Sequence, residues 1–237
     1  MRNPIIVALD VPEMEAALRL AEAVTPHVGA FKVGSELFTA SGPEIVRRLR
    51  ALGAQVFLDL KFHDIPNTVA KAVSNAVRLD VQMLTIHTCG GSEMMKAAED
   101  AAQQTARQMS RTAPLVLGVT VLTSMDSNEL SEVGCEANAA RQVERLAALA
   151  VKSGLRGLVC SPLEVTTLRQ LLPSHVALVT PGIRPPGPRS DDQKRTLSAA
   201  EAISAGSTYL VVGRPIYAAA DPAAAAQEVL ASISRTA

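Results

Sequence analysis

The chain has 237 residues, of which 48% are hydrophobic and 19% are charged, a composition that predicts a compact globular protein and argues against intrinsic disorder. Basic and acidic residues number 23 each, so the zero formal charge does not favour bulk attraction to nucleic acid or to an anionic membrane. The sequence has no Trp, two Tyr and four Phe, too few aromatic side chains for a surface that stacks single-stranded nucleic acid.

Short apolar segments rich in β-branched residues alternate along the chain with longer segments rich in Ala, Leu, Glu and Arg. The apolar segments predict eight strands: Ile5–Leu9, Ala30–Val33, Gln55–Leu60, Met83–His87, Leu115–Val121, Gly157–Cys160, Val176–Thr180 and Tyr209–Gly213. The longer segments predict eight helices: Glu13–Val24, Pro43–Leu52, Thr68–Leu79, Ser92–Gln108, Ala137–Ser153, Pro162–Leu172, Leu197–Ser204 and Pro222–Ser234. Strict alternation of strand and helix predicts a parallel sheet, and eight repeats in this length predict an α/β fold of the (β/α)8 (TIM) barrel type.

No linker divides the chain, so we expect a single domain over residues 1–237. The one long irregular segment is 181–195, which is rich in Pro and Gly and follows the seventh predicted strand. A loop of this length inside a compact domain is more typical of a functional lid than of a domain boundary, and we expect it to cover a bound phosphate.

The cysteines, the N-terminus and the absence of known motifs lead to predictions about cellular location and cofactors. Cys89, Cys135 and Cys160 match neither a disulfide framework nor the spacing of metal ligands, and the N-terminus lacks the layout of a signal peptide. We therefore expect reduced thiols and a cytoplasmic protein. No apolar run approaches the roughly 20 residues of a membrane span. We also expect no metal and no organic cofactor, because the sequence lacks a cluster of His, Cys and carboxylate residues at ligand spacing and lacks a dinucleotide-binding fingerprint.

Charged residues stand where the predicted strands end, which is where the active site of a (β/α)8 barrel lies. Asp59 and Lys61 are two residues apart in the third strand, so we expect both to point into the barrel. Asp10 ends the first strand, Lys32 lies in the second and Asp64 follows the third. Such an array is costly to bury unless its members are paired, and it can hold a lysine in its cationic form. A purely structural ion-pair network is the alternative interpretation.

A phosphate site is predicted by the segments that follow the seventh and eighth strands, Thr180–Arg184 and Val212–Pro215. Both contain a glycine and an arginine, and these two loops form the usual phosphate site of the barrel. Glycine lets backbone N–H groups approach an anion, and arginine binds a phosphate through two parallel hydrogen bonds. Each arginine alone would be interpreted as a solvated surface charge.

The segment Asp59–Pro66, which reads Asp-Leu-Lys-Phe-His-Asp-Ile-Pro, resembles the signature of the orotidine 5'-phosphate decarboxylase family. It continues with Asn67 and Thr68 as in bacterial members. Further matches extend along the chain at Ala8–Asp10, Lys32–Gly34, Leu122–Ser124, Thr180–Arg184, Asp192–Arg195 and Val212–Pro215. The lid departs slightly from the family, because Ser190–Gln193 stands where a glycine often precedes the Asp-Gln pair.

The resemblance implies decarboxylation of orotidine 5'-phosphate to uridine 5'-phosphate in de novo pyrimidine biosynthesis, without a cofactor. It implies that Lys61 protonates C6 of the pyrimidine, that Asp59 lies next to the leaving carboxylate, and that Lys32 and Asp59 contact ribose hydroxyls. Asp64 would enter the active site of the other subunit of a homodimer. The further substrate contacts that it implies are Asp10 at the ribose, Thr123 and Ser124 at the ring, Ile65 and Pro66 at the end of the signature, Asn67 and Thr68 directly after it, and Pro181, Arg184, Gln193, Gly213 and Arg214 at the phosphate end.

The chemistry of this reaction suits these residue types. Loss of CO2 from C6 leaves an electron pair that the ring cannot delocalise, so an enzyme without an electron sink needs a fixed cation beside that carbon. Two alternatives stay open. One is a metal-dependent sugar-phosphate decarboxylase or aldolase of the same superfamily, and the other is a non-enzymatic sensor of a phosphate ligand. We expect His63 at a surface or interface and His87 near the mouth of the barrel.

Overall fold

The computed structural model of the chain describes residues 3–185 and 196–234. Its eight parallel strands close into a barrel in which each strand pairs with the next and the last pairs with the first. The strands are β1 (Ile5–Ala8), β2 (Ala30–Gly34), β3 (Val56–Phe62), β4 (Met83–His87), β5 (Leu115–Val119), β6 (Gly157–Val159), β7 (Ala177–Thr180) and β8 (Tyr209–Val212). The predicted (β/α)8 barrel is therefore confirmed.

Helices follow every strand within the described ranges. They are α1 (Met14–Val24), α2 (Ser35–Ser41), α3 (Glu44–Ala51), α4 (Pro66–Arg78), α5 (Gly91–Gln108), α6 (Ser127–Glu132), α7 (Ala139–Lys152), α8 (Val165–Leu171), α9 (Ala199–Ser204), α10 (Arg214–Tyr217) and α11 (Pro222–Ser234). The sequence did not predict α2, α6 and α10, which are short helices in loops after strands. A signal was present for α6, because Asp126 and Glu129 form a capping box at its start. None of these helices has the length and apolar character that a membrane span needs.

Alternation along the strands divides the apolar residues between two clusters. On β1, Ile6 and Ala8 point into the barrel, whereas Ile5 and Val7 pack toward the helices. The inner cluster is small and consists of Ile6, Ala8, Ala30, Phe57, Met83, Leu117, Val179 and Val211. It closes the barrel below its mouth, and the active site of this fold lies at the end where the strands finish.

Strand β3 becomes irregular at the segment that carries the charged residues. Its pairing with β4 moves from Leu58 opposite Leu84 to Phe62 opposite Ile86, so four steps along β3 match two steps along β4. Lys61 lies in this segment with a φ of +50°, a left-handed conformation that residues other than glycine seldom adopt. The strand thus extends beyond its predicted end, and a bulge rather than a regular strand brings its two charged side chains together.

Candidate active site

The mouth of the barrel holds a cavity of about 440 Å³, a size typical of small-molecule sites. Part of its lining is apolar and comes from the inward face of the strands, and the rest is polar and charged. Four basic and two acidic side chains line it: Lys32, Lys61, Arg184, Arg214, Asp10 and Asp59. The excess of positive charge suits an anionic ligand.

A chain of ion pairs crosses the cavity from β1 to β3. Lys32 Nζ lies 2.9 Å from Asp10 Oδ1 and 3.8 Å from Asp59 Oδ2. Asp59 Oδ1 in turn lies 2.9 Å from Lys61 Nζ. The side chains of Lys32 and Asp59 are 12% and 14% exposed, whereas that of Lys61 is 36% exposed. The array is therefore buried at its centre and presents the Lys61 amine to the cavity.

A fifth residue joins this array without carrying charge. Thr85 on β4 is fully buried, and its hydroxyl donates a hydrogen bond to Asp59 Oδ1 at 2.9 Å. Thr85 Oγ1 itself accepts a hydrogen bond from the backbone N–H of Lys61 at 2.8 Å. No sequence motif singles out Thr85. The alternation Met83, Thr85, His87 places it on the inward face of β4, and that pattern was the available signal.

The second half of the signature points away from the cavity of its own chain. The side chains of Asp64, Ile65, Pro66, Asn67 and Thr68 are exposed, and none of them lines the cavity. Asp64 Oδ1 accepts a hydrogen bond from the N–H of Ile65 at 2.6 Å and takes no part in the ion pairs of the cavity. Ile65 is 66% exposed, unusually open for a large apolar side chain. The start of α4 thus forms an exposed surface beside the mouth.

The loops after β7 and β8 converge on the opposite side of the cavity from β3. Pro181, Gly182 and Arg184 come from the first loop, and Gly213 and Arg214 come from the second. Gly182 has a φ of +80°, which only glycine adopts without strain. The two arginines predicted to bind phosphate therefore line the same cavity as the charged array.

Three further predicted contacts have different outcomes. Thr123, after β5, lines the cavity, whereas the neighbouring Ser124 is exposed and does not. Gln193 lies outside the described residues, as does the part of the predicted lid over residues 186–195.

Two histidines pack together beside the mouth. The ring centroids of His63 and His87 are 5.5 Å apart, and Cys89 Sγ lies 4.0 Å from His63 Nε2. Burial lowers the pKa of His87, and the neighbouring His63 and Lys61 lower it further, so His87 favours its neutral form. No group of three or more His, Cys, Asp or Glu side chains in residues 3–185 and 196–234 is arranged to hold a metal ion.

Comparison with known proteins relates the chain to one protein family. Residues 3–229 match the family model described as Orotidine 5'-phosphate decarboxylase / HUMPS family. The chain is 52% identical over 233 residues to an orotidine 5'-phosphate decarboxylase of Opitutus terrae, in an alignment that covers 98% of this chain and 99% of the relative. A relative of the same name from Pseudomonas fluorescens is also 52% identical, with 98% of each chain covered.

A solved structure agrees with these relatives. The crystal structure of orotidine 5'-phosphate decarboxylase from Lactobacillus acidophilus matches with a TM-score of 0.87 and 37% sequence identity, covering 98% of this chain and 99% of that one. Sequence similarity over nearly the whole length, the barrel and the charged cavity lead to one conclusion: this chain belongs to the orotidine 5'-phosphate decarboxylase / HUMPS family.

Proposed function

We infer that this protein decarboxylates orotidine 5'-phosphate to uridine 5'-phosphate in pyrimidine biosynthesis. The observation that carries the inference is one cavity that joins the ion-pair array ending in Lys61 to two arginines on its other side. Relatives that are 48–52% identical over 233 residues carry the name of this enzyme, which favours it over the metal-dependent sugar-phosphate enzymes.

Lys61 acts on the reacting carbon of the pyrimidine. The bond between C6 and the carboxylate breaks, CO2 leaves, and the electron pair stays on C6. The ammonium group of Lys61 stabilises this charge and then transfers a proton to C6, after which water reprotonates the amine. The partly exposed amine, held 2.9 Å from Asp59 Oδ1, has both the access and the fixed position that this role needs.

Asp59 and Lys32 hold that amine in a fixed electrostatic environment. The two oxygens of the Asp59 carboxylate already face Lys61 and Lys32, so the carboxylate has little freedom to reorient when charge develops on C6. Its negative charge lies next to the leaving carboxylate and disfavours the ground state of the substrate. Lys32 and Asp59 also contact the ribose hydroxyls, and Asp10 binds the ribose.

The remote end of the substrate supplies binding energy. Arg184 and Arg214 bind the phosphate as bidentate donors, and Gly213 and Pro181 shape the site around it. Binding energy from this non-reacting group supports the transition state at C6. Gln193 and the predicted lid over residues 181–195 complete the phosphate site, and Thr123, which lines the cavity, contacts the ring.

The active species is a homodimer in which each subunit gives Asp64 to the site of the other. The exposed start of α4 supports this arrangement, because Asp64 faces away from its own cavity and lies next to the exposed, apolar Ile65. A two-fold interface would supply the carboxylate, and the contacts of Ile65, Pro66, Asn67 and Thr68, to both sites. The cytoplasmic location stays a prediction that rests on the unpaired cysteines.

The test is turnover of orotidine 5'-phosphate by the purified protein, followed as loss of its ultraviolet absorbance. We expect turnover that persists after dialysis against EDTA. Activity that EDTA abolishes and Mg²⁺ restores would move the assignment to the metal-dependent branch of the family. Tight binding of the nucleotide without turnover would instead support the sensor.

A further inference from the structure

We propose that Thr85 is a positioning residue for the decarboxylation, and that its single hydroxyl sets the relative placement of Asp59 and Lys61. This role rests on the proposed function, because it concerns the carboxylate and the amine that act at C6. Thr85 touches neither the cavity nor a ligand in it, since it is fully buried behind Asp59 on β4. It acts through the two residues that its hydroxyl contacts.

The hydroxyl of Thr85 occupies a gap in the pairing of two strands. Where β3 bulges between Leu58 and Phe62, the pairing with β4 is interrupted. The backbone N–H of Lys61, which lies in that interval, donates to Thr85 Oγ1 at 2.8 Å. A side-chain oxygen therefore takes the part that a backbone acceptor plays in a regular sheet. The bulge depends on this oxygen, because a buried N–H without a partner is costly.

The conformation of Lys61 needs that support. Its φ of +50° is sparsely populated for a residue with a long side chain and persists only when its surroundings fix it. The hydrogen bond to Thr85 fixes the amide on the N-terminal side of this dihedral angle. The direction in which the Lys61 side chain leaves the backbone thus depends on the Thr85 hydroxyl.

The donor and acceptor roles around Thr85 are determined by its partners. The N–H of Lys61 can only donate, so Thr85 Oγ1 accepts from it and directs its own hydrogen to Asp59 Oδ1, 2.9 Å away. The same Asp59 oxygen lies 2.9 Å from Lys61 Nζ. The contacts close a ring that runs from the backbone of Lys61 through Thr85 and Asp59 to the amine of the same lysine.

This ring couples the proton donor to the carboxylate beside it. Thr85 is fully buried, so bulk water does not compete for the hydrogen bonds of its hydroxyl. Without it, Asp59 loses a neutral donor and Lys61 loses the anchor of its backbone. A displacement of about 1 Å at reacting groups costs on the order of 100-fold in rate. The effect falls on the chemical step, since the phosphate contacts lie across the cavity.

The experiment compares Thr85→Val, which has the same shape without the hydroxyl, with Thr85→Ser, which keeps the hydroxyl. We expect kcat with orotidine 5'-phosphate to fall about 100-fold in Thr85→Val and to recover to within about fivefold of wild type in Thr85→Ser. The dissociation constant of uridine 5'-phosphate, which lacks the reacting carboxylate, should stay within about threefold of wild type in both. The matched control is Thr105→Val, because Thr105 on α5 is also buried and its hydroxyl is hydrogen-bonded to Ser74 Oγ on α4 at 3.0 Å, away from the cavity.

Three outcomes overturn the proposal: a Thr85→Val enzyme with more than a third of wild-type kcat, equal losses in Thr85→Val and Thr85→Ser, or a loss of kcat in Thr105→Val as large as that in Thr85→Val. If Thr85→Val does not fold, Thr85→Ala replaces it, and the same comparison with Thr85→Ser applies. A wild-type protein without turnover defeats the proposed function instead. The positioning role is then decided by a crystal structure of Thr85→Val, in which unmoved Asp59 and Lys61 side chains would contradict it.

Discussion

The two halves of the signature Asp59–Pro66 behave differently in one chain. The charged side chains of the first half form their ion pairs within one chain. Asp59 pairs with Lys61 and with Lys32, and Lys32 also pairs with Asp10. The second half, from Asp64 onward, is exposed and adds nothing to the cavity of its own chain. A contiguous motif therefore need not serve a single site. Strand β3 supplies one half inward, and the loop that leads into α4 presents the other half outward.

The first half should carry the largest effect. Lys61→Ala removes both the cation beside C6 and the proton donor, and general acid catalysis with electrostatic stabilisation together supply at least about 10⁴-fold. We expect turnover of orotidine 5'-phosphate to fall below detection while the circular dichroism spectrum is unchanged. The exposed Lys71 provides the matched control, and Lys71→Ala should keep wild-type turnover. A Lys61→Ala enzyme within about tenfold of wild type would remove Lys61 from the chemistry.

The first half of the signature also shows how much of the fold and of the site could be predicted from the sequence. The alternation of strands and helices predicted all eight strand–helix pairs, and spacing predicted that Asp59 and Lys61 meet. The bulge that brings them together was not predictable, because nothing in Leu58–Phe62 announces a change of register with β4. Alternation along β4 placed Thr85 on the inward face, but its role could not be predicted, because an uncharged residue inside a strand gains that role only from the bulge. The family resemblance implied that Ser124 contacts the ring together with Thr123, yet the side chain of Ser124 lies outside the cavity.

The second half is tested by Asp64→Ala. If Asp64 completes the site of the other subunit, this variant should lose about 100-fold or more in kcat, since a preorganised charge is removed from the array. The stronger measurement mixes it with Lys61→Ala. In a mixed dimer one site carries both defects and the other has native Lys61 and native Asp64. Subunit exchange should therefore restore turnover to at most about a quarter of the wild-type level under random pairing.

The mixing experiment can also contradict the assignment of the two halves to different active sites. Mixtures that regain nothing after subunit exchange, or an active species that sediments as a monomer, would mean that Asp64 serves its own chain. Each variant incubated alone under the exchange conditions is the control, and both should stay inactive.

A third prediction concerns the phosphate end, which the signature does not include. Arg214→Ala should lower kcat/KM for orotidine 5'-phosphate. The corresponding free energy of activation should rise by about 1.5–3 kcal/mol, because a hydrogen bond to a charged group is lost. Turnover of the phosphate-free nucleoside should hardly change. The matched control is Arg47→Ala, because Arg47 is paired with Glu44 on the outer surface of α3. Equal losses of kcat/KM with the nucleotide and with the nucleoside would show that Arg214 does not bind the phosphate.

The smallest effect is expected at the junction of the two halves, where His63 of the signature packs against His87. Burial, His63 and Lys61 lower the pKa of His87 in the folded protein, while Asp59 opposes them, so it lies below the ordinary value of 6.5. The unfolded chain therefore binds a proton at His87 more readily than the folded chain does. Its contribution makes the free energy of unfolding rise with pH across the interval from the folded pKa up to about 6.5.

His87→Gln should accordingly weaken the loss of stability between pH 6.5 and more acidic values, since a neutral amide takes no proton. The measurement is the urea midpoint of unfolding as a function of pH, with His175→Gln at an exposed position as the matched control. Because His87 is only partly buried, the change in slope should be modest, and the activity at neutral pH, where the imidazole is already neutral, should be little affected. A His87→Gln slope identical to that of the wild type would mean that the junction stays insensitive to protonation. In that case the contact between His63 and His87 packs the loop, and its protonation does not affect the stability of the fold.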